Sequence, residues 1–156
     1  MKELIGPFPQ PGWRKRISLN ALDPMQATYS GELKATLGVG TIGAVRTSGR
    51  VNDYWISANA CGQDDDAPLG ITGELYINGT TCLSTKPTIY YVSGEASQTK
   101  TTKASGSGIT QAVIDRTADT FTPGDVLTYQ ITLARTASPD VEMSNLCIVV
   151  ELEPLK

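Results

Sequence analysis

Hydrophobic and polar positions alternate with a period of two along most of this chain, and no window keeps a helical period. The strongest pattern runs from Leu69 to Tyr91, where Asn78-Gly79 separates two β-rich runs. That dipeptide predicts a two-residue type I′ turn, because both central residues need φ > 0. The turn fixes a register in which Ile77 faces Thr80, Leu75 faces Cys82 and Gly73 faces Ser84. Glu74, Tyr76, Thr81 and Leu83 then share the opposite face. Pro87, which lacks an N–H, ends the second arm or marks a sheet edge.

The same alternation predicts the other strands. Leu33, Ala35, Leu37 and Val39 share one face of a strand that Gly38, Gly40 and Gly43 leave bent or bulged. From Arg50 to Ala60, Tyr54, Ile56, Ala58 and Ala60 oppose Asp53, Trp55, Ser57 and Asn59. Ile109 to Asp115 reads as one short strand. Thr122-Pro123-Gly124-Asp125 is a turn that opens the clearest strand, with Leu127, Tyr129, Ile131 and Leu133 inward. In the closing run Leu146, Ile148, Val150 and Leu152 face in. There Glu151 and Glu153 face out and are expected to discourage stray edge pairing. Ser93 to Gly108 is polar and of low complexity, which predicts a long surface loop with Lys100 and Lys103 as solvated charges. These elements define an all-β fold: an antiparallel two-sheet β-sandwich, jelly-roll-like, of about seven or eight strands.

Residues 1–30 are set apart as an extended, Pro-rich basic N-terminal arm, ahead of a single sandwich domain over 31–156. Pro7, Pro9 and Pro11 prevent helix and favour an extended path. Residues 1–16 hold four basic side chains and one acid, a net of +3; the chain total of −3 leaves −6 on the remainder. Phe8 and Trp13 as apolar anchors, with Arg14, Lys15 and Arg16, form a candidate docking site for another protein's surface.

Candidate chemistry is sparse. The chain has no histidine, which removes the commonest general base and metal ligand and the Ser-His and Cys-His pairs. Cys61, Cys82 and Cys147 show no C-x-x-C spacing and read as small hydrophobes in a reducing compartment, with a Cys61–Cys82 disulfide as the alternative. Asp64, Asp65 and Asp66 lack the spaced calcium-loop pattern and read as an acidic turn. Gly106-Ser107-Gly108 is an incomplete fragment of a nucleophile elbow. No catalytic residue, metal or cofactor is therefore expected. The acidic balance argues against a nucleic-acid partner, and no apolar run is long enough for a membrane helix. Met1-Lys2-Glu3-Leu4-Ile5 runs into Gly6-Pro7-Phe8-Pro9 without the apolar core of a secretion signal, so synthesis in the cytoplasm is expected.

Leu75-Tyr76-Ile77-Asn78-Gly79-Thr80 continuing to Ser84-Thr85-Lys86-Pro87-Thr88-Ile89 resembles a pattern in small β-sandwich virion proteins of tailed bacteriophages. Phe121-Thr122-Pro123-Gly124-Asp125-Val126-Leu127-Thr128 and the run Leu146 to Leu152 extend the resemblance, which spans roughly residues 69–153. It implies a structural protein of the capsid decoration (cement), head-fibre or tail-tip type, and the matching residues are scaffold. The basic arm, unexpected on a simple fibre tip, favours a decoration protein on the capsid exterior. The expected partners are a major capsid protein and further copies of the chain, as a homotrimer. The alternative is a receptor- or carbohydrate-binding fibre module, with Trp55 and Tyr54 as the possible ligand platform.

Overall fold

The computed structural model describes residues 13–16 by their backbone, and residues 23–63, 69–95, 99–135 and 138–155 in full. In chain order the strands are β1 (Trp13–Arg16), β2 (Met25–Glu32), β3 (Leu37–Ala44), β4 (Gly49–Ala60), β5 (Gly70–Ile77), β6 (Thr80–Thr81) and β7 (Leu83–Thr85). They continue as β8 (Thr88–Tyr90), β9 (Lys100–Thr101), β10 (Ile109–Thr110), β11 (Val113–Ile114), β12 (Thr120–Phe121), β13 (Val126–Ala134) and β14 (Ser144–Glu153). The long strands carry the fold, and most of the short ones are brief partners along their edges.

One sheet has the order β1-β2-β14-β4-β12, with β9 also on β4; the other runs β10-β8-β5-β13-β3, with β6 on β5. All pairs are antiparallel; the chain crosses between these sheets at β2–β3, β3–β4, β4–β5, β8–β9, β9–β10, β12–β13 and β13–β14, and β7 and β11 form a separate two-stranded sheet. The result is the expected β-sandwich. Its interior is filled by the inward rows of the four central strands. Tyr54, Ile56 and Ala58 of β4 and Leu146, Ile148 and Val150 of β14 meet Ile71 and Leu75 of β5 and Leu127, Tyr129 and Ile131 of β13. Each large apolar side chain buried this way contributes roughly 1.5–3 kcal/mol, more than an exposed ion pair supplies.

The Asn78-Gly79 turn forms as expected, with φ of 49° and 82°. Ile77 pairs with Thr80 and Tyr76 with Thr81. Beyond Cys82 the simple register fails. The chain leaves β5, pairs Leu83–Thr85 with β11, and returns so that Thr72 faces Thr88 and Gly70 faces Tyr90. The Gly73 N–H donates to the Pro87 carbonyl at 2.9 Å, so Gly73 meets Pro87 where Ser84 was expected. Pro87 marks the re-entry point, and β8 behind it lies inside the sheet between β5 and β10.

Four other expectations are corrected. Leu33 is buried and Val39 is 63% exposed, because bulges in the β3–β13 pairing break the alternation. Ile109 to Asp115 divides into β10 and β11, which belong to different sheets. Glu151 and Glu153 guard no edge, since β14 lies between β2 and β4; Glu153 instead accepts from Arg50 Nε at 2.5 Å. Met25 to Ser30, within the stretch read as an arm, make up most of β2, and Ala27 is buried.

At the sandwich end holding the hairpin, three turns are knit together. Asn78 Nδ2 donates to Asp125 Oδ1 at 2.8 Å, the Val126 N–H donates to Asn78 Oδ1 at 2.9 Å, and the Val45 N–H donates to the Asp125 carbonyl at 2.9 Å. The Thr122 N–H and the Asn78 amide hold the Asp125 carboxyl below the usual aspartate range. A depressed carboxyl adds stability above its unfolded value of about 3.9 and loses it as pH falls through the folded value. Asp125→Ala should therefore lower the urea midpoint at pH 7, and the gap from the parent should narrow as the pH falls below the unfolded aspartate value of about 3.9. Equal midpoints at pH 7 would refute this role.

Candidate functional site

The candidate residues lie on or beside one sheet. β1 is its edge strand, and Trp13, Arg14, Lys15 and Arg16 pair in register with Tyr29, Thr28, Ala27 and Gln26. Continuing across the sheet, Gln26 faces Val149 and Val149 faces Trp55. Arg16 and Trp55 thus hold positions in the same cross-strand row, three strand spacings or roughly 14 Å apart. Phe8 and the aspartates 64–66 lie outside the described residues.

Trp55 and Tyr54, expected to form a platform together, are separated by the alternation of β4. Tyr54 points into the core and is 1% exposed, so no ligand reaches its ring; this corrects its assignment. Its hydroxyl donates to the Glu74 carbonyl at 3.3 Å, and burial keeps it protonated far above the ordinary range. Trp55 is half-buried on the outer face, where the Lys103 ammonium stands 4.2 Å from the ring centroid. Lys103 Nζ also donates to Asp53 at 2.5 Å and lies 3.7 Å from Glu151. The Asp53 hydrogen bond leads the causes that raise the Lys103 pKa, so the cation persists over the ring at neutral pH.

Beside this cluster is an open depression of about 280 Å³ lined by Ser57, Asn59, Thr99, Thr101, Asn145 and Cys147 among others. Several of its polar atoms are already engaged. Ser57 donates to Thr101 at 2.8 Å, Thr99 to the Asn59 carbonyl at 2.9 Å, and the Gly31 N–H to Asn145 at 2.9 Å. With these groups engaged inside the protein, the depression presents few free polar atoms. Among the described residues no three His, Cys, Asp or Glu side chains gather as a metal site. None of the three cysteines forms a disulfide; Cys61 and Cys82 are buried, and Cys147 is half-exposed with its sulfur accepting from Gln26 Nε2 at 2.9 Å. Burial pushes the Cys82 thiol up to about 12, which leaves it unreactive.

Sequence reasoning missed both lysines of the polar loop. Lys100 is 8% exposed; its ammonium donates to the carbonyls of Tyr90 at 2.9 Å and Ser107 at 3.0 Å and pairs with Glu95. Gly108, with φ of +66°, leaves room for it: a Cβ there would sit 2.6 Å from Lys100 Nζ. The loop is therefore pinned by an internal cation together with the pairing of β9 to β4 and the Thr102–Ile56 hydrogen bonds, which place Lys103 over Trp55. Only the two lysines themselves, in an otherwise Ser/Thr/Gly stretch, hinted at this.

Compared with models of protein families, with curated proteins and with solved structures, the chain matches none. No helix among the described residues is long and apolar enough to cross a membrane.

Lys103→Ala should uncover Trp55. In a Trp13→Phe background, acrylamide quenching of the remaining tryptophan should rise while stability changes by less than about 1 kcal/mol, as for exposed ion pairs. Unchanged quenching would mean that Lys103 does not cover the ring.

Proposed function

We propose that this protein is a structural component of a tailed-phage virion, a capsid decoration protein that attaches by binding and performs no catalysis. The observation that carries this reading is the place of Trp13-Arg14-Lys15-Arg16: three successive cations on the edge strand of a sheet whose parent body is acidic. An extended cationic edge suits an acidic neighbouring surface, and its charges orient the encounter more than they set its affinity. Phe8 and Trp13 supply apolar contact at roughly 25 cal/mol per Å² buried. The compact sandwich behind them serves as a rigid body standing on the particle. The major capsid protein is the partner, and a homotrimer on the capsid exterior multiplies a weak attachment through effective concentration. The resemblance of residues 69–153 to phage β-sandwich proteins supports the same reading.

A second reading, a receptor- or glycan-binding fibre module, rests on the open depression beside the half-buried Trp55. A glycan screen separates the two: carbohydrate binding that Trp55→Ala abolishes would favour the module. For the leading reading, reversing Arg14, Lys15 and Arg16 together to Glu should cut cosedimentation with capsids lacking the protein by more than tenfold. The thermal midpoint should remain near that of the parent. Undiminished binding by the reversed chain would sink the docking assignment.

A further inference from the structure

We propose that Asn78 is a site of spontaneous modification: its clasp on Asp125 and Val126 slows its conversion to aspartate or isoaspartate, and the conversion, once made, breaks that clasp. Among the asparagines of the chain only Asn78 precedes a glycine.

The chemistry needs no enzyme. The Gly79 backbone nitrogen attacks Asn78 Cγ and forms an N–Cγ bond. The Cγ–Nδ2 bond breaks, and ammonia leaves with the proton displaced from the Gly79 nitrogen. Water then opens the five-membered imide. Cleavage of the new N–Cγ bond gives aspartate; cleavage of the original peptide bond gives isoaspartate, with the chain rerouted through Cγ. Glycine permits the attack because it carries no Cβ to crowd the nitrogen. Both residues are exposed, and an added Cβ at Gly79 would meet nothing within 4 Å, so water has access to the ring.

The fold opposes the first step. Asn78 Nδ2 donates to Asp125 Oδ1 at 2.8 Å, and Asn78 Oδ1 accepts from the Val126 N–H at 2.9 Å. The Asn78 N–H donates to the Val126 carbonyl at 2.9 Å, which fixes the backbone beside them. Ring closure draws Cγ to bonding distance of the Gly79 nitrogen. An amide fastened at both of its polar atoms must release them to make that move, and one of the two bonds is to a carboxylate. The product then reverses the sign of the contact. An anionic oxygen faces Asp125 where a donor stood, and like charges repel. Isoaspartate also adds a backbone carbon to the turn that sets the Ile77–Thr80 pairing. The inference does not rest on particle docking.

The test incubates the full chain at pH 8 and follows the peptide containing Asn78 by the mass gain of –NH2 becoming –OH. The folded parent should convert roughly tenfold more slowly than the chain unfolded in guanidinium chloride. Asp125→Ala, under conditions where it is folded, should convert roughly threefold faster than the folded parent. Equal rates in the folded and unfolded parent, or a variant no faster than the parent, would overturn the protection. No conversion in the unfolded chain would overturn the site itself. A second pair of variants reads the consequence without that one. Asn78→Asp should lower the urea midpoint at pH 7 by roughly 0.5 M. Adding Asp125→Asn, which returns a donor to the contact, should recover at least half of the loss. An unchanged midpoint in the first variant, or no recovery in the second, would refute the broken clasp.

Discussion

The sandwich depends on one contact across its interior, where Tyr54 of β4 reaches β5. Its hydroxyl donates to the Glu74 carbonyl at 3.3 Å, over Gly73, where a Cβ would sit 2.8 Å from the hydroxyl oxygen. Glycine is required there by space. Because Tyr54 is buried, its hydroxyl needs a partner, and an unpaired one would cost about 1–3 kcal/mol. The same point of β5 receives the returning chain, since Gly73 donates to Pro87. The outward side of Glu74 is closed by Thr81, whose hydroxyl donates at 2.5 Å, and by Lys86. The excursion from Cys82 to Pro87 thus serves to cover a buried carboxylate that the hairpin leaves on its outer face.

This explains which parts of the fold were legible in the sequence. β13 and β14 read correctly because each keeps one face buried along its length, so burial and period agree. The Asn78-Gly79 turn was legible because its chemistry is local: both residues take positive φ. The register beyond Cys82 was not, since Leu83–Thr85 pairs with β11 and Cys82 accepts from the Asp115 N–H, partners far along the chain from the turn. β3 failed for a related reason. Its bulges follow from Gly40, which has no room for a Cβ beneath the Tyr129 ring, and that requirement belongs to the partner strand.

The candidate site was legible in its members and illegible in its arrangement. Trp55 was correctly placed on the polar face of β4, and its neighbour Tyr54 was inward by the same alternation, so the two never made one platform. What the pattern could not contain was the lid. Lys103 reaches Trp55 because β9 pairs with β4, Thr102 exchanges hydrogen bonds with Ile56, and Lys100 is drawn inside by two carbonyls and Glu95. Burial of that cation is tolerable because its hydrogen bonds are made.

The distribution of charge has a further consequence. Of the nine cations after residue 16, seven stand against carboxylates: Lys34, Arg50, Lys86, Lys100, Lys103, Arg116 and Arg135. Paired in this way they contribute little to the field beyond the molecule, which the surplus carboxylates of the body make negative. Arg14, Lys15 and Arg16 hold positions on β1, at the margin of one sheet. A field divided so sharply acts on the orientation of an approaching surface before any contact forms, and salt weakens it over about 10 Å. The pairs serve cohesion in different ways: Arg50–Glu153 joins two neighbouring strands, whereas Lys100–Glu95 holds the polar loop against the sandwich.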